Sequence, residues 1–384
     1  MDDYLARIRR DVPLSPRLAR AFATVRRELF VPDGFRRRDG TRVAPTDPNF
    51  LTEVYADDAL ITKMSGETAT SSSSQPSLMA VMLGALDLHP GVRVLEIGAG
   101  TGYHAALMSS LGAVVTTIDV QPDVAAGARA ALGRAGFPEV RVECADGYHA
   151  VTGPFDRVVV TVGVAGLSPH WFGRLTPDGF VIAPVEHAGT HPVLKVHGRR
   201  ARVICPAGFM SAAGPLTALH RHPAPFKPPA DLLEAAPPRF SPPLDSASYR
   251  DLWYAAGVWS PAATRAENQL ALRPPAPAPT PTPTPTPTAP VPAPVAADPG
   301  AAEFRAAVGI VVVSPDGSIR AEGRRVDDVS VQVADPALLG DAASLITRWQ
   351  SAARPSMRDW TIELALDGDP ATPIWTPHTW TLTP

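Results

Sequence analysis

The chain has 384 residues, room for two domains, and a formal net charge of −3, which gives no sign of a nucleic-acid phosphate backbone as partner. Its longest apolar runs are strand-length, so no span of a bilayer is expected, and Met1-Asp2-Asp3-Tyr4 lacks the basic-then-apolar pattern of a signal peptide. Two cysteines, Cys144 and Cys205, imply no disulfide framework; each reads as a small buried hydrophobe, and a cytoplasmic location is expected.

Residues 4–30 carry Leu5, Ile8, Leu18, Ala21, Phe22, Val25 and Leu29 at helical spacing, with a break at Pro13–Pro16 and an end at Val31-Pro32. Residues 33–50 and 65–75 are polar and read as loops. Pro76 suits the first position of a helix whose apolar face is Leu78, Met79, Val81, Met82, Leu83 and Leu86. From residue 92 strands alternate with helices. Strands are expected at 92–97, 114–119, 140–144, 155–162 and 180–185, and helices at 103–111, 122–135 and 169–175. Gly112 and Gly136 end two of the helices, and Pro177-Asp178-Gly179 reads as a turn. The run 155–162 is almost continuously apolar, as a strand buried on both faces should be. Residues 191–196 and 202–205 read as a hairpin. Residues 228–272 are Pro-rich with one helix-like stretch, Tyr249–Val258. Residues 274–299 alternate proline with alanine and threonine; such a segment cannot bury apolar area and is expected to be an extended spacer. Beyond it come a strand at 308–313, a turn at Pro315-Asp316-Gly317, a strand at 329–333, a helix at 338–353 and a strand at 361–366. The implied division is a cofactor-binding α/β domain over 1–222, a connecting segment with a helix over 223–272, a linker over 273–300, and a small α+β module over 301–384 that would recognise a peptide.

The most telling run is Val94-Leu95-Glu96-Ile97-Gly98-Ala99-Gly100-Thr101-Gly102-Tyr103. An apolar strand enters three glycines at every second position, and a helical pattern follows. Glycine lets the backbone turn sharply and approach a ligand with no Cβ in the way, and the helix N-terminus offers free N–H groups. Such a turn sits at the carboxyl end of a parallel strand in open α/β sheets that bind nucleotide-type cofactors. Dinucleotide folds use G-x-G-x-x-G; here the third glycine comes one residue early, and Glu96 precedes the first by two. Both features fit S-adenosylmethionine better. Asp119 closes the next strand, where a carboxylate accepts hydrogen bonds from ribose hydroxyls. A glycine-rich αβ turn with no ligand is the alternative, and Asp119 argues against it.

Several segments, in order, resemble the protein-L-isoaspartate O-methyltransferases: Val25–Pro32, Tyr55-Ala56-Asp57-Asp58-Ala59-Leu60, Ser74-Gln75-Pro76, Val94–Tyr103, Asp146-Gly147, Pro154-Phe155-Asp156 and Leu175–Gly179. The likeness covers roughly residues 20–215. It implies a Rossmann-like methyltransferase fold with an open, mostly parallel sheet. It implies Ser74 as the active-site serine, with Asp57, Ser73, Gln75 and Pro76 toward the substrate. Glu96, Gly98, Gly100, Thr101, Gly102, Asp119, Asp146 and Gly147 would hold S-adenosylmethionine, and no metal is called for. Two positions depart from the pattern: Ser73 replaces the usual isoleucine, and His104 the usual glutamine or aliphatic residue. Trp349–Ser356 is similar to the C-terminal domain of actinobacterial homologues that accompany ribosomally made, modified peptides. That second likeness implies methyl esterification of an aspartate in a precursor peptide, with closure to an aspartimide. Repair of isoaspartyl damage in proteins is the alternative, and a peptide-binding protein with a vestigial fold is a third reading that the intact glycines disfavour.

From the residues alone, Ser74 has two open roles: orienting a carboxylate, or capping the helix that starts at Pro76; the resemblance implies the first. His187, His191, His197, His220 and His222 lack metal-ligand spacing and read as loop or surface histidines. Asp57 and Asp58 either position a substrate or are solvated loop acids. Arg36-Arg37-Arg38 is either a solvated run or a patch that steers an acidic peptide.

Overall fold

A computed structural model describes residues 1–149, 152–217, 221–222, 225, 233–235, 239–266, 269–273, 311–315, 326–333 and 339–383. The Pro/Ala/Thr spacer expected over 273–300 lies outside the described residues apart from residue 273, as do His220 and the Asp316-Gly317 part of the expected turn.

The described residues form two compact units. The first comprises 1–186, 190–220 and 358–384, and the second 187–189 and 221–357. In chain order the first unit opens with α1 (Asp2–Asp11), α2 (Pro16–Thr24), β1 (Phe35–Arg36), β2 (Arg42–Val43), α3 (Phe50–Val54), β3 (Leu60–Ser65), β4 (Thr68–Ser73) and α4 (Pro76–Ala85). It continues with β5 (Arg93–Ile97), α5 (Tyr103–Ser110), β6 (Val114–Asp119), α6 (Pro122–Ala135), β7 (Arg141–Cys144), β8 (Phe155–Val160), α7 (Pro169–Phe172), β9 (Leu175–Pro184), β10 (Val193–His197) and β11 (Arg200–Cys205).

Local chemistry sets most of these boundaries. Ser15 accepts the Leu18 N–H at 3.2 Å and Pro16 follows it in the first turn, so α2 starts after the proline break. Gly136, at φ +87°, ends α6. The second unit holds β12 (Leu233–Ala235), β13 (Arg239–Leu244), α8 (Ser246–Trp259), β14 (Ala263–Ala266), β15 (Gln269–Leu272), β16 (Val311–Pro315), β17 (Val326–Val333) and α9 (Leu339–Ser351). The chain then returns to the first unit as β18 (Trp360–Asp367) and β19 (Ile374–Leu382).

The main sheet has nine strands in the order β19-β18-β11-β10-β9-β8-β5-β6-β7. Strands β5 to β9 run parallel to one another, and β10, β11, β18 and β19 add on antiparallel. Val158, Val159 and Val160 of the central β8 are wholly buried, as a strand covered on both faces requires. Helices α1, α2, α4, α5 and α6 bury Ile8, Phe22, Met82, Leu107 and Leu132 in one cluster with Val94, Val159 and Ile182 of the sheet. A separate four-stranded sheet, β2-β1-β3-β4, follows the first two helices.

Several expectations about the elements need correction. The polar stretch 65–75 is no loop: β3 and β4 pair as an antiparallel hairpin, with Ser71 and Ser73 buried on alternate positions. Its side chains alternate in burial but not in polarity, so hydrophobic periodicity misses it. Pro177-Asp178-Gly179 lies within β9 as a bulge, since register shifts between Phe155↔Leu175 and Arg157↔Phe180. The expected module over 301–384 does not hold together as one body: β18 pairs with β11, so the last hairpin extends the first sheet. The segment 223–272 is more than a connection, because β14, β15, β16 and β17 form successive antiparallel pairs. Asp245 closes a capping box on α8 there, accepting the Ser248 N–H at 2.8 Å.

Cys144 is exposed at the end of the edge strand β7, contrary to expectation, while Cys205 is buried as expected. His187 and His222 are buried rather than superficial. The His187 Nε2 contacts the Tyr254 carbonyl at 2.8 Å, and burial holds its imidazole well below the usual histidine range. No cluster of metal-ligating side chains occurs among the described residues. Nor is any helix of the described residues long and apolar enough to cross a membrane.

Candidate active site

The expected cofactor residues converge at the carboxyl ends of β5 and β6. Gly98, Gly100 and Gly102 all take positive φ (+99°, +52° and +85°), a region costly for other residues. Close approach adds a second demand. A Cβ on Gly98 would lie 2.7 Å from Thr161 Oγ1, and one on Gly100 would lie 3.0 Å from the Ser72 carbonyl. Thr161 donates to the Gly98 carbonyl at 2.6 Å and fixes the turn from β8.

Asp119 ends β6 and stays buried. One carboxylate oxygen accepts the Gly100 N–H at 3.1 Å and the other the Gln121 N–H at 3.1 Å. Burial raises its pKa above the ordinary carboxylate value, and these two backbone donors work against the rise. A carboxylate has about four lone-pair sites, so two remain for a ligand. Asp146 is exposed; it accepts the Tyr148 N–H at 2.9 Å and so shapes its own loop. Gly147 packs so tightly that a Cβ there would sit 2.6 Å from Ile97 Cγ2.

Glu96 is placed differently from a simple cofactor ligand. It is fully buried, and both oxygens have partners: His104 Nδ1 at 2.7 Å and Thr117 Oγ1 at 2.6 Å. Its main duty is internal, tying β5, β6 and α5 together beneath the glycine turn.

A cavity of about 540 Å³ opens above these residues, within the roughly 300–1,000 Å³ usual for small-molecule sites. Gly98, Gly100, Thr101, Asp119, Asp146 and Gly147 line it, together with Glu96, Ser73 and Ser74. The fit to a nucleoside-bearing methyl donor is good. The glycine cradle admits a bulky ligand, Asp119 offers acceptors to ribose hydroxyls, and the lining is largely apolar. Gly102 turns its backbone into the start of α5, where a Cβ would meet Leu132 at 3.2 Å; its role is to pack α5 on α6.

The helix-cap role for Ser74 is not what the structure shows. The N-cap of α4 is Gln75, and the cap is made by Asp57, whose carboxylate accepts the Ser77 N–H at 2.7 Å and the Gln75 side-chain amide at 3.1 Å. Ser74 is half-buried at the cavity wall instead. Asp57, Gln75 and Pro76 therefore shape the Ser73-Ser74 segment from behind and are not among the cavity-lining residues. Asp58 pairs with Arg38 at the surface.

Three contributions escaped the sequence reading. Arg27 is fully buried and donates to five carbonyls, those of Val54, Ala56, Asp58, Ser73 and Ser74, at 2.8 to 3.3 Å. It clamps the Asp57 loop to the serine segment. Strand β4 supplies Thr68 to Ser73 as one wall, anchored where Gln121 donates to the Thr70 carbonyl at 2.8 Å. The segment Phe209–Leu216 supplies further lining, bound to the stretch after β8 through Gly163 N–H to the Met210 carbonyl (2.8 Å) and Ala212 N–H to the Gly163 carbonyl (2.7 Å). Arg27 lies within the segment Val25–Pro32 that carries the family likeness, which was the one available signal, since Arg26 and Glu28 beside it are charged as well.

Known proteins agree with this layout. The family described as protein-L-isoaspartate(D-aspartate) O-methyltransferase matches residues 5–206. A protein-L-isoaspartate O-methyltransferase of Thermotoga maritima is 36% identical over 178 residues, 45% of this chain and 51% of that protein. One from Anaeromyxobacter dehalogenans (strain 2CP-C) is 36% identical over 178 residues, 46% of this chain and 82% of its own length. The chain thus spans about half the length of the first relative and most of the second. A solved protein-L-isoaspartate O-methyltransferase aligns over 98% of this chain and 99% of its own, at TM-score 0.51 and 21% identity, which is a likeness of fold. The Rossmann-like methyltransferase architecture, the order of the site segments and the matched span lead to one conclusion: the chain belongs to the protein-L-isoaspartate(D-aspartate) O-methyltransferase family.

Proposed function

We propose that the chain is an S-adenosylmethionine-dependent carboxyl O-methyltransferase that esterifies an isoaspartyl carboxylate in a peptide or protein. The observation that carries this reading is the meeting of two segments at one cavity. The glycine turn with Asp119 stands on one side and the Ser73-Ser74 segment on the other, with the Ser72 carbonyl against Gly100.

When bound, S-adenosylmethionine supplies an electrophilic methyl group on a sulfonium. The acceptor carboxylate is already anionic near neutral pH, so the chain's task is orientation. Alignment of reacting groups lowers a barrier by about 7–11 kcal/mol in the best cases. Ser74 Oγ donates one hydrogen bond to the acceptor, and its small size leaves the methyl path open. Arg27 and Asp57 hold the backbone on which Ser74 sits. Asp119 fixes the donor's ribose. The ester formed is a better leaving group than a carboxylate, so a neighbouring backbone nitrogen can close an imide; that step depends on the substrate.

Relatives bearing the isoaspartate name favour general isoaspartyl methylation over a dedicated precursor peptide, reversing the order expected from sequence. The second reading, aspartate of a precursor peptide, draws support from one observation. The second compact unit, residues 187–189 and 221–357, lies almost wholly outside the family's matched span. The test is incubation with methyl-labelled S-adenosylmethionine and paired isoaspartyl and aspartyl peptides. Base-labile label on the isoaspartyl peptide supports the proposal; label on neither overturns it, and label only on a normal aspartate favours the second reading.

A further inference from the structure

We propose that His104 is a ligand contact of this cavity, and that its Nε2 donates a hydrogen bond to a carboxylate bound there. The inference rests on the methyltransferase reading above and adds a residue to it.

Three observations meet at this side chain. His104 lines the cavity and is more than nine-tenths buried. Its Nδ1 is committed to Glu96 at 2.7 Å, whereas its Nε2 is buried with no hydrogen-bond partner among the described residues. The described residues lining the cavity include three carboxylates, Glu96, Asp119 and Asp146, and no lysine or arginine. His104 is thus the one lining side chain there that can bring a basic group to an anion.

Proton bookkeeping decides what Nε2 offers. Glu96 is wholly buried, and a buried net charge is expensive. Two arrangements keep the pair neutral overall. Either the proton sits on the imidazole and Nδ1–H donates to the carboxylate, or it sits on Glu96 and the carboxyl donates to Nδ1. In both, Nε2 carries hydrogen. Thr117, donating to the other Glu96 oxygen at 2.6 Å, is compatible with either. Other charged and titratable groups near this corner include Asp119 on β6, Tyr103 beside it on α5, Tyr4 on α1, whose hydroxyl lies 3.2 Å from that of Tyr103, and Arg27, whose guanidinium lies 5.8 Å from the centre of the Tyr103 ring. None of these bonds to Nε2. A buried N–H with no partner is a destabilising feature unless something arrives to accept it. A carboxylate does so with the strongest bond available, a charge-assisted one in the first arrangement.

Both the amino-acid end of the methyl donor and the methyl acceptor carry a carboxylate, and the experiment separates them. The variants are His104→Leu, which keeps bulk but removes the donor, and His104→Gln, which keeps a donor amide. Calorimetry measures S-adenosylhomocysteine, which has the amino-acid carboxylate, and 5′-methylthioadenosine, which lacks it. Turnover of a short isoaspartyl peptide gives KM and kcat. Loss of a hydrogen bond to a charged group weakens binding by about ten- to a hundred-fold. If His104→Leu loses that much affinity for S-adenosylhomocysteine but not for 5′-methylthioadenosine, the carboxylate is the donor's. If it leaves both affinities within about two-fold and raises the peptide KM about ten-fold or more, the carboxylate is the acceptor's. In either case His104→Gln retains most of the function. Equal losses for both nucleosides, or unchanged constants throughout, overturn the proposal. A wild-type chain that binds neither nucleoside overturns the methyltransferase reading itself, which keeps the two failures distinct.

Discussion

Arg27→Lys removes a planar donor and leaves a positive charge in place, so it isolates the clamp from simple electrostatics. The guanidinium serves five carbonyls, with the shortest contacts of 2.8 Å to Val54 and Ser74. Lysine offers three N–H groups on a compact head. At least two of the five carbonyls must therefore lose their donor. Each buried acceptor left unpaired costs about 1–3 kcal/mol, giving about 2–6 kcal/mol in all. That is a large share of the roughly 5–15 kcal/mol that stabilises a typical domain. The serine segment loses its anchor as well. A shift on the order of 1 Å at a positioned group costs up to about a hundred-fold in rate. Urea unfolding and methyl transfer to an isoaspartyl peptide read the two effects separately. Stability within about 0.5 kcal/mol of wild type, the level of an ordinary surface substitution, together with unchanged turnover, would refute the clamp.

Other consequences are open to direct measurement. On the acceptor role proposed for it, Ser74→Ala should slow methyl transfer while S-adenosylhomocysteine affinity stays within about two-fold; equal loss of both would place it at the cofactor. Asp156 is pulled down to about 2, chiefly by its hydrogen bond and ion pair with Arg93, from an ordinary value of 3.8. A depressed carboxyl stabilises the fold above its unfolded value and loses that contribution as pH falls through the folded one. The stability gap between wild type and Asp156→Asn should therefore narrow as pH drops from about 4 to about 2, by about 1 kcal/mol after allowance for solvent screening. A gap constant with pH would contradict the assignment. Burial pushes the Cys205 thiol up to about 11, while Cys144 is exposed. A thiol reagent should label Cys144 in the folded protein and Cys205 only after unfolding; rapid labelling of both would mean that β11 opens readily.

What was legible in the sequence follows from how each element is stabilised. Strand β8 reads directly, because Val158 to Val160 are buried on both faces and nothing polar interrupts them. The glycine turn reads because its backbone geometry admits few other residues. Strand β4 hides, since threonine and serine pack into the cavity wall without an apolar signature. Asp57 looked like a solvated loop acid or a substrate contact, and is in fact the cap of a helix that starts nearly twenty residues later. Arg27 carries no local signal of its own, because its five carbonyl partners come from Val54, Ala56, Asp58, Ser73 and Ser74, far along the chain. The pairing of β18 with β11 joins distant parts of the chain across an entire second unit, and no local periodicity encodes such a partner. Short-range rules thus located the glycine turn and Asp119, while the Ser73-Ser74 wall of the cavity depends on long-range contacts.

The arrangement itself is tested most directly by a crystal structure with S-adenosylhomocysteine. The expected result is the nucleoside in the cavity of the glycine turn, its ribose hydroxyls on Asp119 and its sulfur facing the Ser73-Ser74 segment. A nucleoside bound elsewhere, or one that leaves Asp119 without a ligand contact, would contradict it.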